Sequence, residues 1–225
     1  MGLNIISRFM MKSLAKQLRK PGGRLAKKVG KKMNESNESL YDFAIESMQL
    51  SEGDNILEIG FGNGKFFNKI FAKKNDLKIS GLDYSAHMIN EARATNQQNI
   101  DSGKLTLRYG NSDKIPFPAD SFDKVFCINV VYFWEDPARH LREIYRVLKP
   151  GCKFYSVLRA KETMMQMPFT RFGFNIYSQE EWETIMKNNG FNIDVVQKIT
   201  EPPLKFENKT YQNYSFCFIA EKSSR

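Results

Sequence analysis

The sequence predicts an α/β fold with a doubly wound, mostly parallel sheet. Strand-like segments lie near residues 55–60, 77–83, 104–109, 122–129, 152–159, 191–198 and 214–221, and helical patterns near 64–75, 85–98, 137–148 and 178–189 separate most of them. A glycine-rich turn follows the first strand. The chain has 225 residues, of which 41% are hydrophobic, enough for one α/β core. Alternation of this kind places helices on both faces of a parallel sheet.

The first strand, turn and helix form a unit that indicates a nucleoside site. Residues 55–59 read Asn-Ile-Leu-Glu-Ile, and three glycines at alternate positions follow in residues 60–64. Glycine permits a tight turn and a close approach of the backbone to a ligand. Residues 65–74 then show a helical pattern with an apolar face. The next strand ends at Asp83, a carboxylate that can accept hydrogen bonds from a ribose diol.

The spacing of the turn excludes two phosphate-binding motifs. A dinucleotide fingerprint needs glycine at its sixth position, but counting from Gly60 that position is Lys65. A P-loop needs glycine five residues before Gly64 and a hydroxyl residue after Lys65, where the chain has Ile59 and Phe66. The turn therefore suits a nucleoside ligand without a phosphate.

Three later segments extend the pattern. Residues 110–117, 121–129 and 141–151 read Gly-Asn-Ser-Asp-Lys-Ile-Pro-Phe, Ser-Phe-Asp-Lys-Val-Phe-Cys-Ile-Asn and Leu-Arg-Glu-Ile-Tyr-Arg-Val-Leu-Lys-Pro-Gly. With the acid before the turn and Asp83, they resemble the class I S-adenosylmethionine-dependent methyltransferases, in the branch that contains the quinone-biosynthesis enzymes. The resemblance covers about residues 37–220. It implies a seven-stranded Rossmann-like sheet with strand order 3-2-1-4-5-7-6, an antiparallel seventh strand and N-terminal helices.

The resemblance also implies S-adenosylmethionine as cofactor, S-adenosylhomocysteine as product and no metal. The glycine turn would approach the methionine portion, supported by Glu58, and Asp83 would bind both ribose hydroxyls. Asn111 departs from the family, which usually has an aspartate at the adenine amino group, but an asparagine carbonyl can accept the same bond. The implied cofactor residues are Glu58, Gly60, Phe61, Gly62, Asn63, Gly64, Asp83, Tyr84, Met88, Asn111, Ser112, Asn129 and Val130.

The segment after the fourth strand predicts the acceptor site. Tyr132, Phe133 and Trp134 project aromatic rings there, which suits a small aromatic or lipophilic acceptor held by stacking and apolar contact. Two side chains are candidates for proton transfer. Tyr132 could orient or deprotonate a hydroxyl, and His140 could act as a general base. The structural alternatives are aromatic packing for Tyr132 and a helix-end position for His140.

All of the net charge of +9 resides near the N-terminus. Residues 1–32 contain ten lysines and arginines and no acid, which leaves 24 basic against 25 acidic residues in the rest. A helical projection places one apolar side opposite the basic residues, and its members are Leu3, Ile6, Met10, Met11, Leu14 and Leu18. We expect a basic amphipathic extension over residues 1–36 and a methyltransferase domain over residues 37–225.

Four roles for this extension remain open from the sequence. Its apolar side could pack on the domain, or it could close over the substrate pocket. Residues 1–20 could contact an anionic membrane, or the basic face could serve a nucleic-acid or transit role. Breaks are expected at residues 21–23 and around Gly30 and residues 34–37, before a second helix over residues 38–50.

The remaining features narrow the class of protein. No apolar run approaches the ~20 residues needed to cross a bilayer, and the three separated cysteines indicate buried thiols in a reducing compartment. We expect a cytoplasmic enzyme, with membrane-peripheral contact as an alternative. Residues 161–177 predict an irregular apolar cap. RNA methylation and a cofactor-binding role without catalysis are the rival functions, of which nucleic-acid binding is disfavoured by the near-neutral domain. Oligomeric state is not predicted.

Overall fold

The computed structural model describes residues 5–206 and 208–223 and contains one central sheet. Its strands follow the order β3-β2-β1-β4-β5-β7-β6. Strands β1 to β5 run parallel, and β7 lies antiparallel to both β5 and β6. The seven strands are β1 (Asn55–Ile59), β2 (Lys78–Asp83), β3 (Leu105–Tyr109), β4 (Phe122–Ile128), β5 (Leu148–Arg159), β6 (Phe191–Phe206) and β7 (Lys209–Lys222). The predicted fold class and strand order are confirmed.

Helices cover both faces of the sheet. In the described ranges they are α1 (Ile5–Arg19), α2 (Ala26–Met48), α3 (Phe67–Phe71), α4 (Ala86–Thr95), α5 (Gln97–Asp101), α6 (Pro137–Val147), α7 (Lys161–Met165) and α8 (Gln179–Asn188). Alternate residues of β1 point to opposite faces of the sheet. Ile56 belongs to the apolar cluster that includes α2, α3 and α4, and Leu57 belongs to the cluster that includes α6 and α8.

Local residues set where several helices begin. Ser85 caps α4 by accepting a hydrogen bond from the Met88 amide. Asp136 caps α6, whose first residue is a proline, and Ser178 forms a reciprocal capping box at the start of α8. Such caps pair amides that the helix itself leaves without partners. The starts of α4 and α6 matter for function, because both helices follow strands that end at the same edge of the sheet.

The predicted break in the second helix is wrong. Helix α2 runs without interruption through Gly30 and residues 34–37. Glycine inside a helix costs about 1 kcal/mol relative to alanine, and the long helix tolerates it. A Cβ on Gly30 would lie 3.6 Å from Nδ2 of Asn63 in the glycine-rich turn, which is an ordinary van der Waals distance. Gly30 therefore lies against that turn, but the contact does not require glycine.

The predicted apolar side of α1 is only partly buried. Met11 is 6% exposed, whereas Ile6 and Met10 are 74% and 59% exposed. Leu14 and Leu18 are half-buried, and Leu3 lies outside the described residues. Helix α1 packs against the 3₁₀ turn Pro168–Arg171. It therefore rests on the domain through a narrower strip than the helical projection predicted.

Several boundaries also differ from the predicted ones. Helix α3 is shorter than the pattern over residues 64–75, and the cap over residues 161–177 contains helix α7 and a 3₁₀ turn. Strand β5 begins at Leu148, before the predicted start near residue 152, because Leu148 already pairs with Phe122 of β4. Strands β6 and β7 form a long hairpin, and register shifts accommodate residues 202–203, which are two prolines.

Candidate active site

A cavity of about 400 Å³ lies beyond the carboxyl ends of β1, β2 and β4. Gly60, Asp83 and Asn129, which follow or end these three strands, line it together with residues of α1 and α2. In open parallel sheets, ligands bind at this edge where the strand order reverses. The sheet therefore gathers motifs that lie far apart in the sequence into one site.

The glycine turn forms the floor of the cavity. Gly60 has a φ of 75°, and a Cβ there would lie 2.4 Å from Cγ2 of Val130. Gly64 has a φ of 68°, and its Cβ would lie 2.8 Å from the Cβ of Ala92 in α4. Gly62, with a φ of 60°, has open space at the Cβ position. Gly60 and Gly64 permit close packing, while Gly62 leaves room at the cavity.

Asp83 is held rigidly at the end of β2. Its Oδ2 accepts a hydrogen bond from the Gly62 amide at 3.0 Å, and its Oδ1 accepts one from the Ser85 amide at 2.8 Å. The side chain lines the cavity although the residue is only 7% exposed. Burial raises the pKa of its carboxyl to about 6, and the bonds from the two amides oppose that rise. Remaining lone pairs can accept hydroxyl protons.

Glu58 lies beneath the turn and is not among the residues that line the cavity. It is 2% exposed, and the Tyr41 hydroxyl donates a hydrogen bond to its Oε1 at 2.5 Å. Burial raises the pKa of Glu58 to about 8, and the nearby Asp83 carboxylate adds to this rise. Tyr41 itself lines the cavity and stacks on Phe66, with ring centroids 3.8 Å apart. Glu58 therefore does not contact the cavity itself but is hydrogen bonded to Tyr41, which does.

Asn129 forms the methionine side of the predicted site. It has a φ of 57°, an uncommon conformation that asparagine tolerates better than most residues. Its Nδ2 donates a hydrogen bond to Oδ1 of Asn37 in α2 at 3.1 Å. Both asparagines and Val130 line the cavity. The end of β4 and the middle of α2 thus form one continuous wall.

A buried histidine supports the side predicted for adenine. Tyr84, Met88, Asn111 and Ser112 line this part of the cavity. The Ser112 hydroxyl is hydrogen bonded to Nδ1 of His140 at 2.8 Å. The imidazole stacks on Trp134, with centroids 4.7 Å apart and an angle of 5° between the rings. Burial lowers the pKa of His140 to about 4, so the ring is neutral at physiological pH.

The aromatic segment after β4 divides between cavity and core. Phe133 and Trp134 line the cavity, but Tyr132 is not among the lining residues and is 1% exposed. The 3₁₀ turn Val131–Phe133 directs its ring toward the end of β5. Its hydroxyl accepts a hydrogen bond from the Arg159 amide at 2.6 Å and donates to the Arg159 carbonyl at 3.1 Å. Burial raises the pKa of this phenol well above its ordinary value.

The N-terminal segment closes the cavity from above. Leu18, Arg19 and Pro21 line it, and so do Gly30 and other residues of α2. The Tyr84 hydroxyl donates a hydrogen bond to the Arg19 carbonyl. The Ser85 hydroxyl donates one to the Pro21 carbonyl at 2.7 Å.

An ion pair joins this covering segment to the loop after β4. The Arg19 guanidinium lies 2.9 Å from the Glu135 carboxylate. The pair is exposed, so solvent screens it and it contributes little to stability. The segment is held over the cavity by the hydrogen bonds from Tyr84 and Ser85 and by burial of Met11 and Ala15 against the domain.

Comparison with known proteins gives the family. A family model described as a methyltransferase domain matches residues 57–156. An uncharacterized methyltransferase, YdaC of Bacillus subtilis (strain 168), is 30% identical over 130 residues, which are 58% of this chain and 70% of that protein. The chain belongs to the class I S-adenosylmethionine-dependent methyltransferases.

One more curated protein and one solved structure are similar to this chain. The demethylmenaquinone methyltransferase of Symbiobacterium thermophilum is 30% identical over 166 residues, 73% of this chain and 63% of that protein. The complex of the Haloferax volcanii Trm112 methyltransferase activator with a methyltransferase contains a chain with the same fold. That chain is 22% identical with a TM-score of 0.76, and the match covers 95% of this chain and 97% of that one.

The methyltransferase retains most of the predicted cofactor residues on the cavity wall. Those that line it are Gly60, Phe61, Gly62, Asn63, Asp83, Tyr84, Met88, Asn111, Ser112, Asn129 and Val130. The two that lie behind the wall are Glu58 and Gly64, one beneath the turn and one against α4. The ring of Tyr132 is turned into the core, so the cavity does not favour its predicted contact with the acceptor, which stays a prediction. Phe133, Trp134 and His140 are at the cavity.

Sequence reasoning missed the contribution of α2. Asn37 and Tyr41 are spaced by one helical turn, so they lie on the same side of the helix as buried Leu40 and Ala44. Polar side chains on an otherwise apolar helix face were the available signal. The cavity also fits the family's cofactor: its floor needs glycine, and a buried carboxylate faces it.

The described residues contain no candidate metal site and no membrane-spanning helix, and their cysteines are free thiols. No group of three potential metal-ligating His, Cys, Asp or Glu side chains occurs among the described residues. Cys127 and Cys217 are buried free thiols, and Cys152 is a half-buried one. None of the described helices has the length and apolar character required to cross a membrane.

Proposed function

We propose that this methyltransferase transfers the methyl group of S-adenosylmethionine to a small aromatic or lipophilic acceptor. The observation that carries the proposal is the composition of the cavity wall beyond the cofactor residues. Phe133, Trp134 and Met33 are apolar members of that wall, and residues of the N-terminal segment also line the cavity. An enclosed wall of this kind favours an apolar molecule over a large polymer.

The names of two relatives support the same acceptor class. One is the demethylmenaquinone methyltransferase, and another is the 2-methyl-6-phytyl-1,4-hydroquinone methyltransferase of rice, 30% identical over 115 residues. The match covers 34% of the rice protein and 63% of the bacterial one. Because the matched regions omit much of these relatives, their acceptors enter here as part of the proposal.

The chain's own residues would bind and orient the reactants. Bound S-adenosylmethionine supplies an electrophilic methyl group on a sulfonium. Asp83 would accept hydrogen bonds from the ribose diol, and Ser112, fixed by His140, would contact the adenine edge. Asn129 would line the methionine portion. These contacts place the reacting carbon, so the protein's main contribution is alignment rather than proton transfer.

The acceptor side would act by apolar contact and exclusion of water. Phe133 would offer aromatic surface to an acceptor ring, with centroids typically about 4.5–7 Å away. Trp134 is 3% exposed and stacked on His140, so it would contribute mainly by fixing that part of the wall. Neutral His140 can accept a proton, but its low pKa makes it a weak base. We propose that positioning and desolvation, rather than a dedicated base, account for the rate.

Calorimetry with a matched pair of variants tests the cofactor assignment. Wild type should bind S-adenosylmethionine and S-adenosylhomocysteine, and Asp83→Asn should lose at least about 10-fold in affinity, because a charged acceptor is replaced by a neutral amide. Asp101→Asn, at an exposed helix end, is the control. Equal affinities for wild type and Asp83→Asn would refute the placement of the ribose.

A turnover assay then tests the acceptor class. Radiolabelled methyl transfer is measured with quinols, phenols and prenyl lipids, and separately with unmodified RNA. Methylation of a lipophilic ring compound supports the proposal. Transfer to RNA alone would replace it, and binding of cofactor without transfer to any acceptor would favour a role without catalysis.

We further propose a cytoplasmic location with peripheral contact between residues 1–20 and an anionic membrane. The division into a covering segment, residues 1–36, and a methyltransferase domain, residues 37–225, is retained as a functional proposal. Helix α2 crosses this division, so the two parts share one helix. Residues 1–36 supply six of the positions that line the cavity, which supports a covering role; they are Leu18, Arg19, Pro21, Gly30, Met33 and Asn34.

A further inference from the structure

Helix α1 leaves three large apolar side chains in water. Ile6, Phe9 and Met10 are 74%, 75% and 59% exposed. Their spacing of three and four residues places them next to one another on the helix surface. The opposite side of α1 is already used, because Met11 and Ala15 are buried against the domain. The exposed strip therefore lacks a partner among the residues that the structure describes.

Basic side chains lie along one edge of this strip, because Lys12 and Lys16 follow Phe9 by three and seven residues. Residues 1–32 contain no acid. Arg19 pairs with Glu135, and Lys20 lies over the ring of Tyr84. The other eight cations are exposed and form no salt bridge with any residue in the described ranges; they are Arg8, Lys12, Lys16, Arg24, Lys27, Lys28, Lys31 and Lys32. So many unpaired positive charges on two adjoining helices attract an anionic partner.

The first turns of α2 extend the same surface. Helical spacing places Lys27, Lys28, Lys31 and Lys32 on one side of α2, opposite the side on which Gly30 lines the cavity. Helices α1 and α2 are in contact, and Leu25, between them, is 53% exposed. The wall between this basic surface and the cavity is thus one helix thick, about 10 Å.

We propose that the outer sides of α1 and the first turns of α2 form one docking surface for an anionic lipid bilayer. This goes beyond a contact through residues 1–20, because four lysines of α2 take part. The charges alone would suit any polyanion. The apolar strip favours a bilayer, because Ile6, Phe9 and Met10 could insert below the anionic headgroups and so leave water. A nucleic acid has no comparable apolar layer.

Vesicle cosedimentation of the full chain tests this surface without cofactor or acceptor, so its outcome is independent of methyl transfer. Wild type is compared on phosphatidylcholine vesicles and on vesicles that also contain phosphatidylglycerol, at low and high salt. One variant replaces Lys27, Lys28, Lys31 and Lys32 by glutamine, and its control replaces Lys73, Lys74, Lys78 and Lys104, which are exposed at the opposite edge of the sheet.

The expected result is binding to the anionic vesicles only, weakened by salt. Each lysine near an anionic surface is worth about fivefold in partitioning, so the α2 variant should lose at least about 10-fold and the control much less. Ile6→Ser/Phe9→Ser/Met10→Ser should lose about 10-fold or more as well. Equal binding to neutral and anionic vesicles, or equal losses in both lysine variants, would overturn the proposal.

Two further measurements test whether the apolar strip inserts into the bilayer and whether the surface binds RNA instead. Phe9→Trp should shift its fluorescence to the blue on anionic vesicles, whereas the native Trp134 and Trp182 are already buried. No shift would mean that the strip does not insert and would overturn the bilayer assignment. Competition with a single-stranded RNA forms the other measurement. RNA binding that depends on the same lysines, with no loss on the three serine substitutions, would replace the bilayer with a nucleic acid.

Discussion

The buried Glu58 carboxyl should make the stability of this methyltransferase depend on pH. It is 2% exposed beneath the glycine turn, with the Tyr41 hydroxyl as donor and the Asp83 carboxylate nearby. Glu58→Gln removes the ionisable group but keeps an oxygen that can accept the Tyr41 bond. The substitution therefore isolates the effect of charge from the effects of shape and hydrogen bonding.

The sign and size follow from the raised pKa. Burial raises the pKa of Glu58 from 4.5 to about 8 in the folded protein. A carboxyl that binds its proton more tightly in the folded state stabilises the fold at low pH and loses this contribution as pH rises. At about 1.36 kcal/mol per pKa unit, the loss between pH 4.5 and pH 8 is up to about 5 kcal/mol. In Glu58→Gln this loss should be absent.

Urea unfolding at about pH 5 and about pH 9, without cofactor, measures the difference. The free energy of unfolding of wild type should fall between these pH values by up to about 5 kcal/mol more than that of Glu58→Gln. Glu52→Gln, at an exposed position, should retain the wild-type profile. Parallel profiles for wild type and Glu58→Gln would show that Glu58 is ionised in the folded protein throughout and would refute this reasoning.

Three further outcomes test the site. Gly60→Ala should abolish measurable cofactor binding in calorimetry, because Gly60 has a φ of 75° and the added methyl would lie 2.4 Å from Val130. The control Gly103→Ala should retain binding, because Gly103 has a similar φ of 72° but open space around it. Cofactor affinity should fall as pH drops through about 6, since protonation of Asp83 removes a charged acceptor; an unchanged Kd at lower pH would contradict this. Tyr132→Phe should lower the urea-measured free energy of unfolding by about 1–2 kcal/mol through loss of the buried hydroxyl bonds to Arg159; an unchanged free energy of unfolding would contradict this.

The fold, and the residues that line the cavity beside the glycine turn, could be predicted because their signals are local. The glycine turn, Asp83 and the alternating segments each lie within a few residues of sequence. The break predicted near Gly30 was wrong because glycine does not by itself end a helix. It often lies at helix ends, but a long helix can also contain it at a cost of about 1 kcal/mol, as α2 does at Gly30.

Side-chain direction accounts for the differences between the predicted and the observed lining of the cavity. The three consecutive aromatic residues are Tyr132, Phe133 and Trp134. From residue type alone, each of them is an equally good candidate for contact with an acceptor. The 3₁₀ turn sends Tyr132 to the backbone of β5 and leaves its neighbours at the cavity. Tyr41 was missed for a related reason, since only the packing of α2 on the sheet brings it to the ligand space.

The amino-acid sequence determined the family, the strand order implied by it, the glycine turn and the carboxylate at the end of β2. These depend on residue type and spacing along short stretches. Only the tertiary structure decided which groups are buried and which face the cavity. Burial in a low-dielectric interior shifts the pKa of Glu58 upward and that of His140 downward. Packing likewise decided that α1 buries Met11 and leaves Phe9 in water, because each helix has several faces and the domain covers only one of them.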